Sequence, residues 1–555
     1  MSHPVLVVGA GPVGLSLAVS LAQQGVPCRI IDKLPQRINQ SRAAIVHART
    51  LELFEHLGIV DQFLTVGIKA HGVHVMDRDG NTLIRPSLEG LPTHYSYLIG
   101  IGQDETERLL TEELTKHGVA IDRGISLSTL TQSADSVTTT LTHADGKEET
   151  FVAAYVAGCD GAKSAVRHQL GLHLEGETLD VFWVTADVVM DCTYSTDELI
   201  AIPTESGFGF ASPLPNGRWR VVVDMGPKPD HLPAEIPLEE VQKAADRVGL
   251  RGKLSNPTWI SPFGVNTRMT PTMQVGRVFL AGDASHVHSP VGGQGMNTGI
   301  QDALNLGWKL GLAMKGKATP ALLDSYNVER HANAKRLLGF VGPATKMVNL
   351  RNPIAIKLRG LVMRAVSHLG LTAIAAKRAS EIDIHYRHSP VVGEHHQGTG
   401  AWLKALLHHE PHPDLFDCWD FGKGPHAGER AADAHSVSVG TAEPKRLHED
   451  WIGEYRHQLL VFTGKQPRAG RVAELAEFAA KTQASSGGMI RAQLVRLPEV
   501  EGPETALIDH EGEAHQHYGA RHECLYLIRP DGYVAFRSQP VESAPLQEYL
   551  KRVFV

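Results

Sequence analysis

The sequence predicts an α/β protein in three parts: a doubly wound domain with a parallel sheet, a mostly antiparallel sheet interleaved with it, and a smaller α/β domain at the C-terminus. Three observations support this prediction. An apolar run, a glycine loop and a helical pattern open the chain, strand-like runs fill residues 175–270, and a new alternation of strands and helices begins after about residue 390. At 555 residues, the chain is long enough for several domains.

The N-terminal segment predicts a nucleotide site. Residues 5–8 (VLVV) form an apolar strand pattern, residues 9–14 (GAGPVG) form a glycine loop, and helical spacing follows over residues 15–23. In this context the glycines permit a tight turn, close approach of a pyrophosphate, and packing of the helix on the strand. A second apolar run, residues 28–31, ends at Asp32, where a carboxylate would bind the hydroxyls of an adenosine ribose. We therefore predict a Rossmann-type dinucleotide-binding domain.

A second strand-to-helix turn indicates a flavin. Residues 277–281 (RVFLA) follow a buried-strand pattern, Gly282 and Asp283 come next, and helical spacing runs over residues 297–314. Asp283 can accept a hydrogen bond from a ribityl hydroxyl, and the glycines that follow let a flat ring lie against the main chain. The start of the helix would face the pyrimidine edge of the ring, where negative charge gathers on reduction. Taken alone, the same run is also compatible with a tight turn that binds nothing.

A third turn lies at residues 156–167 (VAGCDGAKSAVR), where Asp160 and Gly161 stand between a strand pattern and a helix. The three motifs in this order resemble the flavin-dependent aromatic hydroxylases, the single-component monooxygenases typified by para-hydroxybenzoate hydroxylase and phenol hydroxylase. The resemblance implies that the first glycine loop holds the ADP half of FAD and that Gly282 and Asp283 hold its ribityl chain. It also implies that Asp160 and Gly161 serve both FAD and the passing nicotinamide cofactor.

The resemblance places a set of FAD-contacting residues on this chain. They are Gly9, Gly11, Pro12, Gly14, Asp32, Lys33, Arg42, Gln103, Asp160, Gly161, Gly282, Asp283, Pro290, Gly293, Gly295, Met296 and Asn297. Arg42 would contact the pyrophosphate, and Pro290 with the glycines after it would border the site of oxygen transfer. Arg42, Arg220 and Pro290 are the candidate catalytic residues, although strand alternation leaves open whether Arg220 faces the site or water.

The base that would activate a phenolic substrate is not identified by the sequence. A phenol has a pKa of about 10, so it needs a hydrogen-bonding or basic partner at neutral pH. His47, His286 and His288 lie near the flavin motifs in sequence. We interpret them as packed or solvent-facing histidines rather than as the base.

The domain boundaries follow from where the pattern changes. A discontinuous FAD-binding domain is predicted within residues 1–390, over about 1–70, 100–175 and 270–390. The interleaved substrate domain is predicted over about 70–100 and 175–270. The C-terminal domain is predicted over 391–555. Hairpin signals at residues 79–81 (DGN) and 216–217 (NG) fall inside the substrate domain and support an antiparallel sheet there.

The C-terminal domain follows a predicted linker at residues 395–400. Its predicted elements are strands at 457–462, 493–497, 524–528 and 533–536, helices near 471–481 and 545–553, and a hairpin turn at 530–532. This rhythm resembles the thioredoxin-like C-terminal domain of phenol hydroxylases. The domain has no close cysteine pair and cannot carry out dithiol chemistry, so structural support or contact in a homodimer is the expected role.

The composition excludes several classes of partner and environment. The net charge of -7 argues against nucleic acid or an anionic membrane as the main partner, because both require a basic face. Five widely separated cysteines fit reduced thiols in the cytoplasm better than a disulfide framework. Charged residues interrupt the apolar segment at 354–376, so we predict no membrane span. We expect no secretion leader at the N-terminus and, from the spacing of the histidines, no metal site.

Together these features predict an FAD-dependent monooxygenase. The resemblance implies that it uses NADPH or NADH and dioxygen to hydroxylate a small phenolic or polycyclic aromatic substrate, such as a polyketide, through a flavin hydroperoxide. Baeyer-Villiger insertion or epoxidation on the same fold is an alternative that shares every cofactor motif. A binding protein that keeps the nucleotide fold without redox activity is a more remote alternative.

Overall fold

The computed structural model describes residues 3–37, 43–350, 352–368, 372–396, 420–440 and 442–555. Strands and helices are numbered along the chain. The chain divides into two compact units. The first comprises Met1–Phe54, Ile59–Gly307 and Arg330–Ile382, and the second comprises Glu55–Gly58, Trp308–Glu329 and Asp383–Val555.

A mainly parallel sheet belongs to the first unit. Its strands are β1 (Val5–Val8), β2 (Cys28–Asp32), β8 (Ile121–Arg123), β12 (Tyr155–Gly158), β18 (Gln274–Val275) and β19 (Val278–Leu280). In the order β18-β19-β12-β1-β2-β8, neighbouring strands are parallel except β18 with β19. β1 and β19 are buried along their whole length, as expected for apolar runs covered on both faces.

The first unit also contains the predicted antiparallel sheet. Its strands are β5 (Gly72–Met76), β6 (Thr82–Ile84), β13 (Glu175–Asp191), β14 (Glu198–Thr204), β15 (Gly207–Leu214), β16 (Arg218–Gly226), β17 (Lys253–Met269) and β20 (His286–Val287). In the order β20-β17-β13-β16-β15-β14-β5-β6, β14 and β5 are the parallel neighbours. Asn216 (φ 60°) and Gly217 (φ 68°) make the predicted turn between β15 and β16, which pair in register. The mixed α/β architecture is therefore confirmed.

Two smaller sheets lie in the same unit. One contains β3 (Ile45–Val46), β4 (Ile68–Ala70) and β7 (Leu98–Gly100), and the other contains β9 (Ile125–Gln132), β10 (Val137–His143) and β11 (Glu148–Ala153).

Helices follow the predicted glycine loops and also occur elsewhere in both units. They are α1 (Pro12–Gln23), α2 (Ala48–His56), α3 (Val60–Val66), α4 (Gln103–Lys116), α5 (Ala165–Gln169), α6 (Leu238–Val248), α7 (Gly295–Met314), α8 (Pro320–Val348), α9 (Pro353–His368), α10 (Thr372–Ala379), α11 (Arg471–Ser485), α12 (Glu513–His517) and α13 (Ser543–Val553). α7 begins at Gly295 rather than near Asn297. Within the part of the chain that the structure describes, no helix is both long and apolar enough to cross a membrane.

The second unit has its own mixed sheet. Its strands are β21 (Gly393–His396), β22 (Val437–Val439), β23 (His457–Phe462), β24 (Ile490–Arg496), β25 (Leu507–Asp509), β26 (Cys524–Ile528) and β27 (Val534–Gln539), in the order β21-β27-β26-β23-β24-β25-β22. The predicted linker was wrong at His395 and His396, because both pair with β27 as part of β21. The rest of that linker, residues 397–400, lies outside the described residues.

Candidate active site

A cavity of about 350 Å³ lies in the first unit, at the carboxyl ends of β1, β12 and β19. Because these parallel strands end at one edge of their sheet, their following turns meet there, which is where ligands bind in open α/β sheets. Residues of β13, β15 and β16 form another part of the lining. The lining residues that the sequence predicted are Gly11, Pro12, Gln103, Gly161, Arg220, Asp283, Pro290, Gly293, Gly295 and Met296.

The glycine loop after β1 has the shape that a pyrophosphate requires. Gly9 has a φ of 105°, and a side chain there would collide with the carbonyl of Cys159. A side chain at Gly14 would collide with the carbonyl of Gly9, so α1 packs closely on the loop. At Gly11 there is open space on the Cβ side, and no side chain caps the first N–H groups of α1. This arrangement leaves main-chain donors for an anionic group at the helix start.

Asp32 ends β2, as predicted, and does not line the cavity. Its carboxylate accepts hydrogen bonds from the main-chain N–H groups of Ala10 and Leu34, both at 2.8 Å. These bonds fix the carboxylate beside the glycine loop. Lys33, the next residue, is exposed.

The acidic residue of the third turn is committed to local structure. Asp160 accepts hydrogen bonds from Ser164 Oγ at 2.5 Å and from the N–H of Ala165 at 2.6 Å, at the start of α5. Burial raises the pKa of Asp160. Gly161, with a φ of 78°, lines the cavity in its place. The part of the motif that borders the cavity is therefore the glycine rather than the carboxylate.

The turn after β19 places an acid in the cavity wall. Gly282 has a φ of 59°, and a side chain there would meet Val13 at 2.8 Å. Its N–H donates to the buried Asp302 of α7 at 2.9 Å. Asp283 is exposed and lines the cavity. A glycine is thus required for the turn, and the turn presents the carboxylate.

The loop of residues 290–295 and the start of α7 border the same cavity. Asn297 is fully buried, and its side chain donates to the carbonyls of Ile45 and Gly293 at 2.9 and 3.0 Å. Asn297 therefore holds the loop from behind rather than lining the cavity. Arg42 lies outside the described residues.

These turns fit FAD. The room at Gly11 and the uncapped start of α1 suit its diphosphate, and the acids at the ends of β2 and β19 suit the hydroxyls of its ribose and ribityl chain. When bound, FAD accepts a hydride from a nicotinamide cofactor and activates dioxygen.

Known proteins support this assignment. A family model described as an FAD binding domain matches residues 2–341. The 6-methylpretetramide 4-monooxygenase of Streptomyces rimosus is 35% identical over 549 residues, which cover 96% of this chain and 90% of that protein. The chain belongs to the flavin-dependent aromatic hydroxylase family. This hydroxylase is therefore an enzyme, an NAD(P)H-dependent monooxygenase with FAD as its cofactor.

Further relatives and solved structures agree with this membership. The rifampicin monooxygenase of Streptomyces venezuelae is 36% identical over 478 residues, which cover 82% of this chain and 97% of that protein. The solved structure of OxyS, an anhydrotetracycline hydroxylase from Streptomyces rimosus, has a TM-score of 0.73 and 27% identity and covers 100% of this chain and 99% of that chain. That of CabE, an aromatic hydroxylase from angucycline biosynthesis, has a TM-score of 0.73 and 29% identity with the same coverage.

Arg220 of the hydroxylase points into the cavity wall, which settles the face that the sequence left open. It is 2% exposed, and Nε and Nη2 donate to the two carboxylate oxygens of Asp187 at 2.5 and 3.0 Å. Trp259 donates to the same carboxylate at 3.0 Å, and the guanidinium lies 5.2 Å from the centre of the Trp259 ring. A buried cation is thus held rigidly and neutralised by a bidentate partner.

The three histidines near the flavin motifs are packed, as the sequence interpretation held. Burial lowers the pKa of His47 and of His288 to about 4, so both are neutral at pH 7. His288 lines the cavity, and its Nδ1 lies 2.8 Å from the carbonyl of Ser289. His286 lies 2.8 Å from the carboxylate of Asp302.

Sequence reasoning missed the apolar wall of the cavity. Trp183 of β13, Phe208 and Phe210 of β15 and Val222 of β16 line it together with Val291. The Trp183 and Phe208 rings pack with their centres 5.2 Å apart. Alternation along each strand was a usable signal. Phe208 and Phe210 are two residues apart on β15, and Arg220 and Val222 are two residues apart on β16, so each pair lies on one face of its strand. Only the order of the strands shows that these faces coincide.

Proposed function

We propose that the hydroxylase acts on a fused, phenolic polycycle that lies between the flavin-binding turns and the wall formed by β13, β15 and β16. The observation that carries the proposal is the combination of Trp183, Phe208 and Phe210 with the buried Arg220 on one wall. Aromatic side chains offer planar contact area to a planar substrate. The names of the relatives add support, since 6-methylpretetramide and anhydrotetracycline are their substrates by name.

We assign Arg220 the role of stabilising the phenolate form of the substrate. An aromatic carbon attacks an electrophilic oxygen more readily when the ring bears a phenolate, and a nearby cation favours that form. The bidentate pairing with Asp187 holds the guanidinium in one position in the wall. The apolar wall also excludes water from the reacting region.

We further propose that FAD is contacted by the main-chain N–H of Gly11 and by main-chain groups of the 290–295 loop, with Asp32 at the ribose and Asp283 at the ribityl chain. Asp160 contributes by shaping its turn. Arg42 is proposed for the pyrophosphate on the resemblance alone.

We propose that the second unit is thioredoxin-like in its fold. β23 and β24 are parallel and joined through α11, β26 and β27 form an antiparallel hairpin, and α13 follows. Its buried Cys524 has no close cysteine in sequence, so we assign it a supporting role.

The test is a substrate panel with the purified, FAD-loaded protein. We expect fused polycyclic phenols to stimulate NADPH or NADH oxidation and to yield a product with one added ring hydroxyl, identified by mass spectrometry and NMR. Stimulation by single-ring phenols alone would contradict the proposed substrate class. A ring-expanded lactone would show oxygen insertion instead of hydroxylation.

The role of Arg220 is tested with Arg220→Met and Arg220→Lys. We expect Arg220→Met to raise KM and to move the pH profile of kcat toward higher pH, because the phenolate loses its cation, while Arg220→Lys restores part of both. Arg218→Met on the same strand is the matched control, since Arg218 binds main-chain carbonyls of Asp187 and Asn256 and does not line the cavity. Equal profiles for the two methionine variants would rule out this role.

A further inference from the structure

The 290–295 loop borders the cavity but has few side chains to hold it in place. Gly292 and Gly293 have φ values of 87° and 66°, a conformation that glycine adopts without strain. The N–H of Gly293 donates to the carbonyl of Pro290 at 2.9 Å, which closes the turn. A loop of this composition needs support from neighbouring elements to keep one conformation.

His47 supplies such support from the segment between β3 and α2. It is 1% exposed, and its Nε2 lies 2.9 Å from the carbonyl oxygen of Gly292 and 3.2 Å from that of Gly293. Both oxygens are acceptors, so Nε2 carries the proton. Because the ring is neutral at pH 7, Nδ1 is unprotonated, and it has no hydrogen-bond partner among the described residues.

Asn297 links the same partners. The main-chain N–H of His47 donates to Asn297 Oδ1 at 2.8 Å, and Asn297 Nδ2 donates to the carbonyls of Ile45 and Gly293. The carbonyl of Gly293 therefore receives two donors, one from His47 and one from Asn297. This arrangement fixes the direction of that peptide.

The direction of the carbonyl decides the direction of the next N–H group. In a planar trans peptide, the N–H points opposite to the C=O. With the Gly293 carbonyl held toward His47, the N–H of Gln294 points away from His47. Like the first N–H groups of α7, the N–H of Gln294 has no acceptor within the helix.

We propose that His47 is a positioning residue that sets the peptides of the 290–295 loop so that main-chain N–H groups face bound FAD. The inference rests on the proposed placement of FAD against this loop. It assigns His47 a role through hydrogen bonding from Nε2 rather than through proton transfer.

The test compares His47→Gln with His47→Met. The two side chains have similar length, but only glutamine can donate to the two carbonyls. We expect His47→Met to weaken FAD binding by about tenfold, the effect of losing one to two neutral hydrogen bonds, and to shift the visible absorption bands of the bound flavin. We expect His47→Gln to stay within about threefold of the wild type. Binding is measured from flavin fluorescence quenching on titration of the apoprotein.

His331 provides the matched control, because its Nε2 lies 3.1 Å from the carbonyl of Thr270 and it does not line the cavity. His331→Gln and His331→Met should leave FAD affinity unchanged. Equal affinity of His47→Met and the wild type, or equal weakening by both His47 variants, would overturn the inference. If His47→Met apoprotein lacks the wild-type circular dichroism spectrum, His47→Phe replaces it, since its ring is planar like imidazole and has no hydrogen-bond donor. A wild-type protein that binds no FAD would instead overturn the proposed function.

Discussion

Two buried charge networks of the hydroxylase differ in how their charges are balanced. In the first unit, Asp302 binds Arg330 at 2.6 Å and His286 at 2.8 Å, and a second acid, Glu381, accepts hydrogen bonds from Thr298 at 2.9 Å and Gln301 at 2.6 Å. This network, called the flavin-side network here, has two carboxyls and one guanidinium. Its acids contact α7, the helix whose first residues border the cavity.

The second unit contains the balanced network, in which each acid has a cationic partner. Glu329 binds Lys309 at 2.8 Å and Arg529 at 2.7 Å, and Arg529 also binds Asp531 at 2.5 Å. Burial alone would raise the pKa of Glu329, but Arg529 and Lys309 hold it well below its usual range.

Both acids are buried, so the difference between them shows that the number of nearby cations decides whether a buried acid titrates near neutral pH. Burial raises the pKa of Glu381 to about 8, since Arg330 is already paired with Asp302. The balanced network keeps Glu329 ionised throughout the physiological range, while burial lowers the pKa of Lys309 to about 8. The flavin-side network instead holds a neutral acid beside the first turns of α7.

The largest effect is expected from breaking the balanced network. Arg529→Met leaves Glu329 and Asp531 buried with only Lys309, and we expect the free energy of unfolding to fall by about 3–5 kcal/mol. Chemical denaturation measures this loss. Arg471→Met is the control, because its pairing with Glu523 is partly exposed and should contribute at most about 1 kcal/mol. Similar losses in the two variants would mean that charge balance inside the second unit matters little.

Removing the unbalanced acid should have the opposite sign. In the wild type, the pKa of Glu381 lies at about 8 when folded and near its ordinary value of 4.5 when unfolded. The folded state then binds more protons between these values, so its stability falls as pH rises through this window and is level above it. Glu381→Gln should lack this fall and be more stable by up to about 5 kcal/mol above pH 8, given about 1.4 kcal/mol per pKa unit over the interval from 4.5 to about 8.

Denaturation curves from about pH 5 to about pH 9 check the Glu381 prediction. The difference in the free energy of unfolding between the Glu381→Gln variant and the wild type should grow with pH until about pH 8 and then stay constant. A difference that does not change with pH would show that Glu381 keeps one protonation state throughout.

Asp302→Asn sharpens the comparison by releasing Arg330. Asp302 raises the pKa of Glu381 and Arg330 lowers it, so this variant should lower that pKa and end the pH-dependent loss of stability at a lower pH. We expect an overall loss of about 1–3 kcal/mol at pH 7 because a buried charge-assisted pair is removed. The pH series described for Glu381→Gln measures both effects. If the loss of stability ends at the same pH in this variant as in the wild type, Arg330 does not act on Glu381.

The smallest effect is expected from Thr298→Val, a change of nearly equal volume. The Thr298 hydroxyl donates to Glu381 and lowers its pKa, so its removal should raise that pKa further. The fall in stability would then continue to a higher pH, with a total change of about 1 kcal/mol. NMR titration of a carboxyl-labelled Glu381 would report the pKa directly, and a downward shift would contradict this account.

The sequence was most informative where structure is local. Residues 9–14 form the predicted turn, in which Gly9 adopts a positive φ and a side chain at Gly14 would collide with the carbonyl of Gly9. Asn216 and Gly217 form the predicted hairpin, since both adopt positive φ. The predicted linker at residues 395–396 was wrong, because a polar run paired with a distant strand, β27, reads as a strand only in its tertiary context.

By itself, the sequence determined the nucleotide-binding turns and the family, since glycine spacing and strand-to-helix order depend on neighbouring residues. Tertiary structure alone decided that Arg220 faces the cavity with Trp183 and Phe208, that His47 binds Gly292, and that Glu381 lies against Thr298. His47 and Gly292 are 245 residues apart. Contacts of this range depend on strand order and packing between elements, which no local pattern of residues contains.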